Sequence, residues 1–304
     1  MQASAVGMSV SVVTWPAYVR VGEERGGGAI SSAFVHFCVL AASQPPATLV
    51  LPLTSIEREL HMTKRTRWVL LLALALTAAS VVPAAASAPN TRTYTVTITN
   101  LTDGQPFTPP LAATHKRTAD FFDVGSPASF GIKEIAENGN LGPLMDGLLA
   151  SNKVSDVVVA VAGDPPPLMP GSSVTFDIDG GPGAKWFSYA SMLICTNDGF
   201  TGADALRLPK QVGDVVSSTS YAYDAGTEIN TESFEDIVPP CPPLTGVMSS
   251  VPGTGASNPA LAEGGVVTHH DGVMTASGDD TLLADVHGWD TGAPVAAITI
   301  TRTG

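Results

Sequence analysis

Alternating polar and apolar residues mark the beginning and the end of a region that starts near residue 93. Residues 93–99 read T-Y-T-V-T-I-T, so Tyr94, Val96 and Ile98 share one face of a predicted strand. Residues 294–302 show the same alternation and contain I-T-I-T. We interpret these segments as the first and last strands. Further strands, bounded by Gly- and Pro-rich turns, are predicted at 156–161, 173–178, 186–195 and 215–223.

Helical patterning interrupts the strands. The string S-P-A-S at 126–129 offers capping residues and a proline for the first helical position. Ile132, Ile135 and Ala136 then share one apolar face, and Gly139 supplies the stop signal. A second short helix is predicted at 141–149. After Cys241 the chain is rich in Gly, Ser and Pro as far as Gly265, which predicts an irregular segment. Many short strands with few helices predict an all-β sandwich or barrel.

A targeting signal precedes this region. Residues 62–67 read M-T-K-R-T-R, residues 69–82 are a fourteen-residue apolar run, and A-S-A occupies 86–88. This order predicts a secretory signal peptide over 62–88, cleaved after Ala88. Fourteen residues are fewer than the roughly 20 that span a bilayer, although an uncleaved membrane anchor remains the alternative. The exported domain would then be residues 89–304.

Residues 1–61 have no sustained helical or strand periodicity. We interpret them as the product of a start codon assigned too early, with a cytoplasmic extension as the alternative. On the first interpretation Cys38 is absent from the exported chain, which leaves Cys195 and Cys241 as an even pair. We therefore predict a Cys195–Cys241 disulfide.

Composition and charge narrow the function. The chain has 15 Lys and Arg against 28 Asp and Glu, a formal charge of −13, and residues 89–304 contain nine basic and 24 acidic residues. This balance argues against a nucleic-acid or anionic-membrane surface and suits cation binding. Only 14% of residues are charged, which argues against disorder and a coiled coil.

Two acidic segments are candidates for a cation site. They read C-T-N-D-G-F-T-G-A-D at 195–204 and Y-D-A-G-T-E-I-N at 223–230. Asp198 and Asp224 lie at predicted strand ends, with Asp204 and Glu228 further along. Calcium takes six to eight oxygen ligands in flexible geometry, so two such loops side by side would suit it. Asx-turns that only shape the loops are the alternative, and spacing alone favours them.

Four strings in order, at 93–110, 128–140, 191–202 and 222–228, resemble the spondin N-terminal domain in its bacterial form. The most distinctive is D-A-G-T-E, at 224–228. The resemblance covers residues 94–302 and implies an antiparallel β-sandwich, similar to calcium-dependent lipid-binding domains, with one or two short helices. It also implies a bound calcium ion and a secreted recognition or adhesion module without catalytic activity. The expected partner is an extracellular protein or glycan.

Individual residues match the family's acids. Asp198 corresponds to the acid of its S-P-D-W string, which reads T-N-D-G here, and Asp224 to the first acid of its D-A-G-T string. Glu228 stands where the family has Asp, and a longer side chain would move that ligand. Glu137 matches a family acid to which the sequence assigns no role. We expect a calcium site formed by Asp198 and Asp224, with Glu228 and Asp204 as further candidate ligands.

Two other functions stay open. A secreted hydrolase or metal-dependent enzyme would use the histidine-rich stretch, formed by His269, His270, Asp271, Asp285 and His287. The chain has neither an H-E-x-x-H metal motif nor a G-x-S-x-G nucleophile elbow. A purely structural envelope protein, which would fold without calcium and bind no ligand, is the third possibility.

Overall fold

The computed structural model describes residues 91–163 and 166–304. The predicted N-terminal extension at 1–61 and the predicted signal peptide at 62–88 lie outside the described residues. Within residues 91–163 and 166–304, no helix combines the length and the apolar composition needed to cross a bilayer.

A four-stranded antiparallel sheet joins the two ends of the domain. In spatial order it consists of β4 (Ser173–Gly180), β1 (Arg92–Asn100), β10 (Ala296–Arg302) and β7 (Val215–Ser220). Ile98 lies opposite Ile298 in the β1–β10 pair. The threonines of β1 face outward, where Thr95 Oγ1 donates a 2.6 Å hydrogen bond to Asp177. The prediction that residues 93–99 and 294–302 form the first and last strands is confirmed.

The second sheet has six antiparallel strands. In spatial order they are β3 (Val154–Val159), β2 (Leu111–His115), β5 (Trp186–Met192), β6 (Gly199–Arg207), β8 (Ala222–Asp224) and β9 (Thr268–His269). All of β2 and most of β5 are buried, because one face packs on the first sheet and the other lies beneath helices. The all-β sandwich is confirmed.

Two apolar cores lie on opposite faces of the six-stranded sheet. The core between the sheets includes Val96, Ile298 and Tyr189. The other includes Ile132 and Phe200 and packs beneath α1 (Phe130–Asn138), α2 (Gly142–Leu149) and residues 234–289, which we call the C-terminal segment. That segment contains the short helices α3 (Cys241–Thr245) and α4 (Ala284–His287). Both predicted helices are therefore present, at 130–138 and 142–149.

Several boundaries differ from the sequence predictions; the strand predicted at 156–161, for example, runs from Val154 to Val159. The strand predicted at 215–223 is two strands, because the chain passes at Tyr221 from β7, which pairs with β10, to β8, which pairs with β6. The strand predicted at 186–195 ends at Met192. The first helix begins after Ser129, whose Oγ accepts from the Ile132 N–H at 3.2 Å, so Pro127 precedes the cap rather than opening the helix.

Candidate metal centre

The two acidic segments meet at one end of the six-stranded sheet. Asp198 directly precedes β6, Asp224 ends β8, and these strands pair so that Gly199 lies opposite Asp224. The Ala225 N–H donates to the Asp198 carbonyl at 3.1 Å. The second half of the segment predicted as the loop 195–204 is strand β6.

The predicted disulfide ties this end to α3. Cys195 and Cys241 are bonded, with their Cα atoms 5.2 Å apart, and both residues are fully buried. Gln105 fixes the same loop, because its Nε2 donates to the Cys195 carbonyl at 2.9 Å and its Oε1 accepts from the Cys195 N–H at 3.1 Å. The segment that leads to Asp198 is thus held covalently and by hydrogen bonds.

Asp198 is a buried carboxylate with one engaged oxygen. Its Oδ2 accepts from the Thr227 N–H at 2.7 Å, the Thr227 hydroxyl at 3.1 Å and the Glu228 N–H at 3.0 Å. Its Oδ1 is buried and accepts no hydrogen bond. Burial, with a smaller effect from the charge of Asp224, raises the pKa of Asp198 to about 6. The hydrogen bonds oppose this rise.

Asp224 has the hydrogen bonds of a loop-shaping residue. Its Oδ1 accepts from the Gly226 N–H at 2.7 Å, the i to i+2 bond of an Asx-turn, and its Oδ2 accepts from Asn230 Nδ2 at 2.6 Å. Gly226 has φ +67°, and a Cβ there would lie 2.6 Å from the backbone N and O of Val266. The turn that follows Asp224 therefore requires glycine.

Glu228 lies close to Asp198 and is also buried. Its Oε1 accepts from the Asn258 N–H at 2.8 Å, which connects the site to the irregular C-terminal segment. Burial raises the pKa of Glu228 to about 7, with smaller contributions from the charges of Glu137 and Asp198. Ionising all of these side chains together is unfavourable without a nearby positive charge.

Glu137 is the acid whose role the sequence left unassigned. It ends the buried face of α1 with a fully buried side chain, and neither carboxylate oxygen accepts a hydrogen bond. Lys133 Nζ lies 3.2 Å from Oε1, an i, i+4 contact that is not aligned as a hydrogen bond. In the sequence, Lys133 and Glu137 have the i, i+4 spacing of an ion pair on a helix. The apolar neighbours Ile135 and Ala136 were the signal that this turn of the helix is buried.

Asp204 lies away from the other candidate ligands of the site. It is in β6, six residues beyond Asp198, where it accepts from the Phe121 N–H at 3.0 Å and from the Ser188 hydroxyl at 3.1 Å. Six strand residues span roughly 20 Å. Asp204 instead neighbours Asp120, whose pKa is raised by burial and then by the Asp204 charge. The expectation that Asp204 could join the site is not supported by this placement.

We define the carboxylate cluster as Glu137, Asp198, Asp224 and Glu228. Across residues 91–163 and 166–304, one group of three ligand-type side chains has ligand atoms within 4.8 Å of one another, namely Cys195, Cys241 and His287. Its cysteines form the disulfide and offer no thiolate. No three of the cluster's four carboxylates have ligand oxygens within 4.8 Å of one another in the described residues, so the cluster is more open than a closed cage of side chains. Its hard oxygen donors and unpartnered buried oxygens suit Ca²⁺, which also accepts carbonyl and water ligands.

The histidines of the alternative enzymatic hypothesis have separate surroundings. His269 is exposed and packs against the rings of Tyr221 and Tyr223. His270 is buried beside Trp289, and its Nδ1 accepts from the Gly272 N–H at 3.0 Å. These histidines do not form a three-ligand group with any acid in the part of the chain that the structure describes.

His287 is buried behind the disulfide, where Nδ1 accepts from the Leu283 N–H at 2.9 Å and Nε2 contacts the Thr245 hydroxyl at 3.0 Å. A serine, histidine and aspartate do meet elsewhere, because Ser188 Oγ contacts both His115 Nε2 and Asp204 Oδ1. The aspartate contacts the serine, whereas a catalytic triad requires it on the histidine. Ser188 and His115 are also fully buried.

Comparison with known proteins agrees with this architecture. The family model described as Spondin_N matches residues 92–247, a range that includes the whole carboxylate cluster and both disulfide cysteines. No match was found among curated proteins. The histidine-rich stretch lies outside the matched range.

Proposed function

The chain belongs to the Spondin_N family, and from that premise we propose that it is an exported, non-catalytic recognition module in which Ca²⁺ binds the carboxylate cluster. The family is consistent with an extracellular recognition module. The Cys195–Cys241 disulfide is compatible with an oxidising compartment, as the predicted signal peptide at 62–88 requires.

The observation that supports calcium is that Asp198 Oδ1 and both carboxylate oxygens of Glu137 are buried and accept no hydrogen bond. A buried carboxylate oxygen without a partner is costly, and a buried charge is tolerated when it is paired or coordinates a metal. Lys133 is the single cation in contact with the cluster among the described residues. One Ca²⁺ would add two positive charges among these four carboxylates.

Such an ion would act structurally. Glu137 comes from α1, Asp198 from the disulfide-tied loop, and Asp224 and Glu228 from the turn after β8. Glu228 also holds the Asn258 backbone. Coordination would therefore connect a helix, two loops and the irregular C-terminal segment, and would fix the surface that these loops present to a partner.

Thermal unfolding tests the proposal. Millimolar Ca²⁺, compared with excess chelator, is expected to raise the Tm of the full chain by about 5–10 °C, since a ligand at 100 times its Kd stabilises the folded state by about 2.7 kcal/mol. The double variant Asp198→Asn, Glu137→Gln should lose this shift. Asp146→Asn, on the exposed face of α2, is the matched control and should keep it.

An unchanged Tm in Ca²⁺ and chelator would contradict the proposal, as would a shift that survives in the double variant. Mg²⁺ at equal concentration should give a smaller shift, because it requires near-ideal octahedral geometry that an open cluster does not supply.

A further inference from the structure

The basic side chains of the domain are concentrated at the end where β6 finishes. We define the basic pole as eight of the nine Lys and Arg residues in the described ranges, namely Arg92, Lys116, Arg117, Lys153, Lys185, Arg207, Lys210 and Arg302. The ninth, Lys133, lies on α1.

The basic pole and the carboxylate cluster occupy opposite ends of one strand. Asp198 precedes β6 and Arg207 ends it, so roughly 25–30 Å of strand separates them. This distance exceeds the Debye length of about 8 Å at physiological ionic strength. The negative charge of the carboxylate cluster is therefore largely screened at the pole.

The side chains of the pole form no direct ion pair with an Asp or Glu side chain in the described ranges. Among the described residues, none of its eight side chains has an Asp or Glu carboxylate oxygen within 4.0 Å, while Arg302 Nε donates to the backbone oxygen of Gly304 at 2.8 Å. Arg302 instead donates from Nη1 to the Lys210 carbonyl, and Lys116 and Lys153 donate to the carbonyls of Asn152 and Thr118. The ammonium and guanidinium groups retain donors for an external anion.

Two adjoining grooves cross the pole, with volumes of about 330 and 380 Å³. Arg207, Pro209 and Lys210 line both of them. Arg92 and Lys185 complete the first groove. Asp214 is the one acid that lines the second. The continuous path over two small grooves suits an elongated ligand better than a compact one.

Trp186 orders the cations at the edge of the first groove. The guanidinium carbons of Arg117 and Arg207 lie 4.8 and 5.3 Å from its ring centre. Such cation–π contacts hold two otherwise mobile side chains near one position and leave their N–H groups free to donate. A preorganised guanidinium binds carboxylate or sulfate oxygens with less loss of conformational entropy.

We propose that the basic pole binds a single acidic polysaccharide chain through its sulfate or carboxylate groups. A flat anionic bilayer or a nucleic-acid duplex is wider than the two grooves, and where it extends past the pole it would meet the acidic remainder of the domain, in which Lys133 is the one basic residue of 89–304. A single extended chain touches only the grooves. This site is separate from the carboxylate cluster, so its binding does not depend on calcium.

The test uses the full chain and a heparin decasaccharide, measured by calorimetry in chelator. We expect binding that weakens with added salt. The variant Lys185→Gln, Lys210→Gln should bind at least about fourfold more weakly, since each exposed charge contact contributes a factor of roughly two to five. Both side chains are exposed, so neither substitution disturbs the core.

The control is the variant Met248→Glu, Met274→Glu, which changes the net charge by the same amount at exposed positions away from the pole. It should bind within twofold of the unaltered chain. Equal loss in the control would overturn the proposal, as would no binding of the decasaccharide. Tighter binding of a single-stranded DNA 20-mer or of phosphatidylserine vesicles would overturn it in favour of those ligands. Binding that occurs in Ca²⁺ but not in chelator would assign the ligand to the calcium-dependent end instead.

Discussion

Replacing Asp198 with asparagine is expected to have opposite effects with and without calcium. Asparagine keeps an oxygen that can accept from Thr227 and Glu228 but removes the buried negative charge. In metal-free protein that charge opposes folding, because burial raises the pKa of Asp198 to about 6 from an ordinary 3.8. In Ca²⁺ the same charge would be a ligand, so its loss should destabilise the folded state.

The magnitude follows from the pKa. A rise of about two units corresponds to about 3 kcal/mol between the two protonation states. The pKa of Asp198 is higher in the folded state than in the unfolded chain. The stability that protonated Asp198 contributes is therefore fully present below about pH 4 and is lost as the pH rises through about 6. The new amide of asparagine lacks a partner, which costs about 1–3 kcal/mol. At pH 7.5 without metal, Asp198→Asn should therefore be as stable as the unaltered chain or up to about 2 kcal/mol more stable.

Urea unfolding followed by circular dichroism, at several pH values between 4 and 7.5, measures this difference. In metal-free buffer the unaltered chain should lose about 2–3 kcal/mol relative to Asp198→Asn as the pH rises. His270 and His287, whose pKa values are lowered by burial, give the opposite trend, but both proteins contain them. A difference that does not vary with pH would refute the assignment of a raised pKa to Asp198.

Two further predictions concern the scaffold of the site. Replacing Cys195 and Cys241 together with alanine should lower the free energy of unfolding by about 4 kcal/mol, because the disulfide joins residues 46 positions apart. Urea unfolding measures this loss, and a value below about 1 kcal/mol would contradict the prediction. Gly226→Ala should lower the free energy of unfolding by at least about 2 kcal/mol, because the φ of Gly226 is +67° and a Cβ there would meet the Val266 backbone. Gly255→Ala, where a Cβ meets open space, is the control and should lower it much less in the same assay.

The strands that the sequence revealed are those with one solvent-facing side. In β1 the threonines face water and the apolar residues face the core, so the pattern alternates. Strands β2 and β6 lie in the middle layer, with helices on one face and the first sheet on the other. β6 also contains Gly202, which is required because a Cβ there would lie 2.6 Å from the Tyr189 carbonyl oxygen. Its glycines and its lack of alternation resemble a loop.

The candidate site was predictable where it depends on strand ends. Asp198 and Asp224 were expected to come together, and the β6–β8 pairing places them at one sheet edge. The burial of Glu137 was not predictable, because it depends on how α1 packs across the six-stranded sheet. The separation of Asp204 required knowing that residues 199–207 are extended. The basic pole was hidden as well, because net charge contains no information about position.

Calorimetric titration of Ca²⁺ into the full chain at pH 6.5, in two buffers with different ionisation enthalpies, tests the central claim most directly. The account predicts one site and a release of protons on binding, because Glu228 and Asp198, with pKa values of about 7 and 6, must deprotonate to act as ligands. The heat should therefore depend on the buffer, and the variant Asp198→Asn, Glu137→Gln should give no binding heat. Absence of binding in the unaltered chain, or unchanged binding in the variant, would contradict the account.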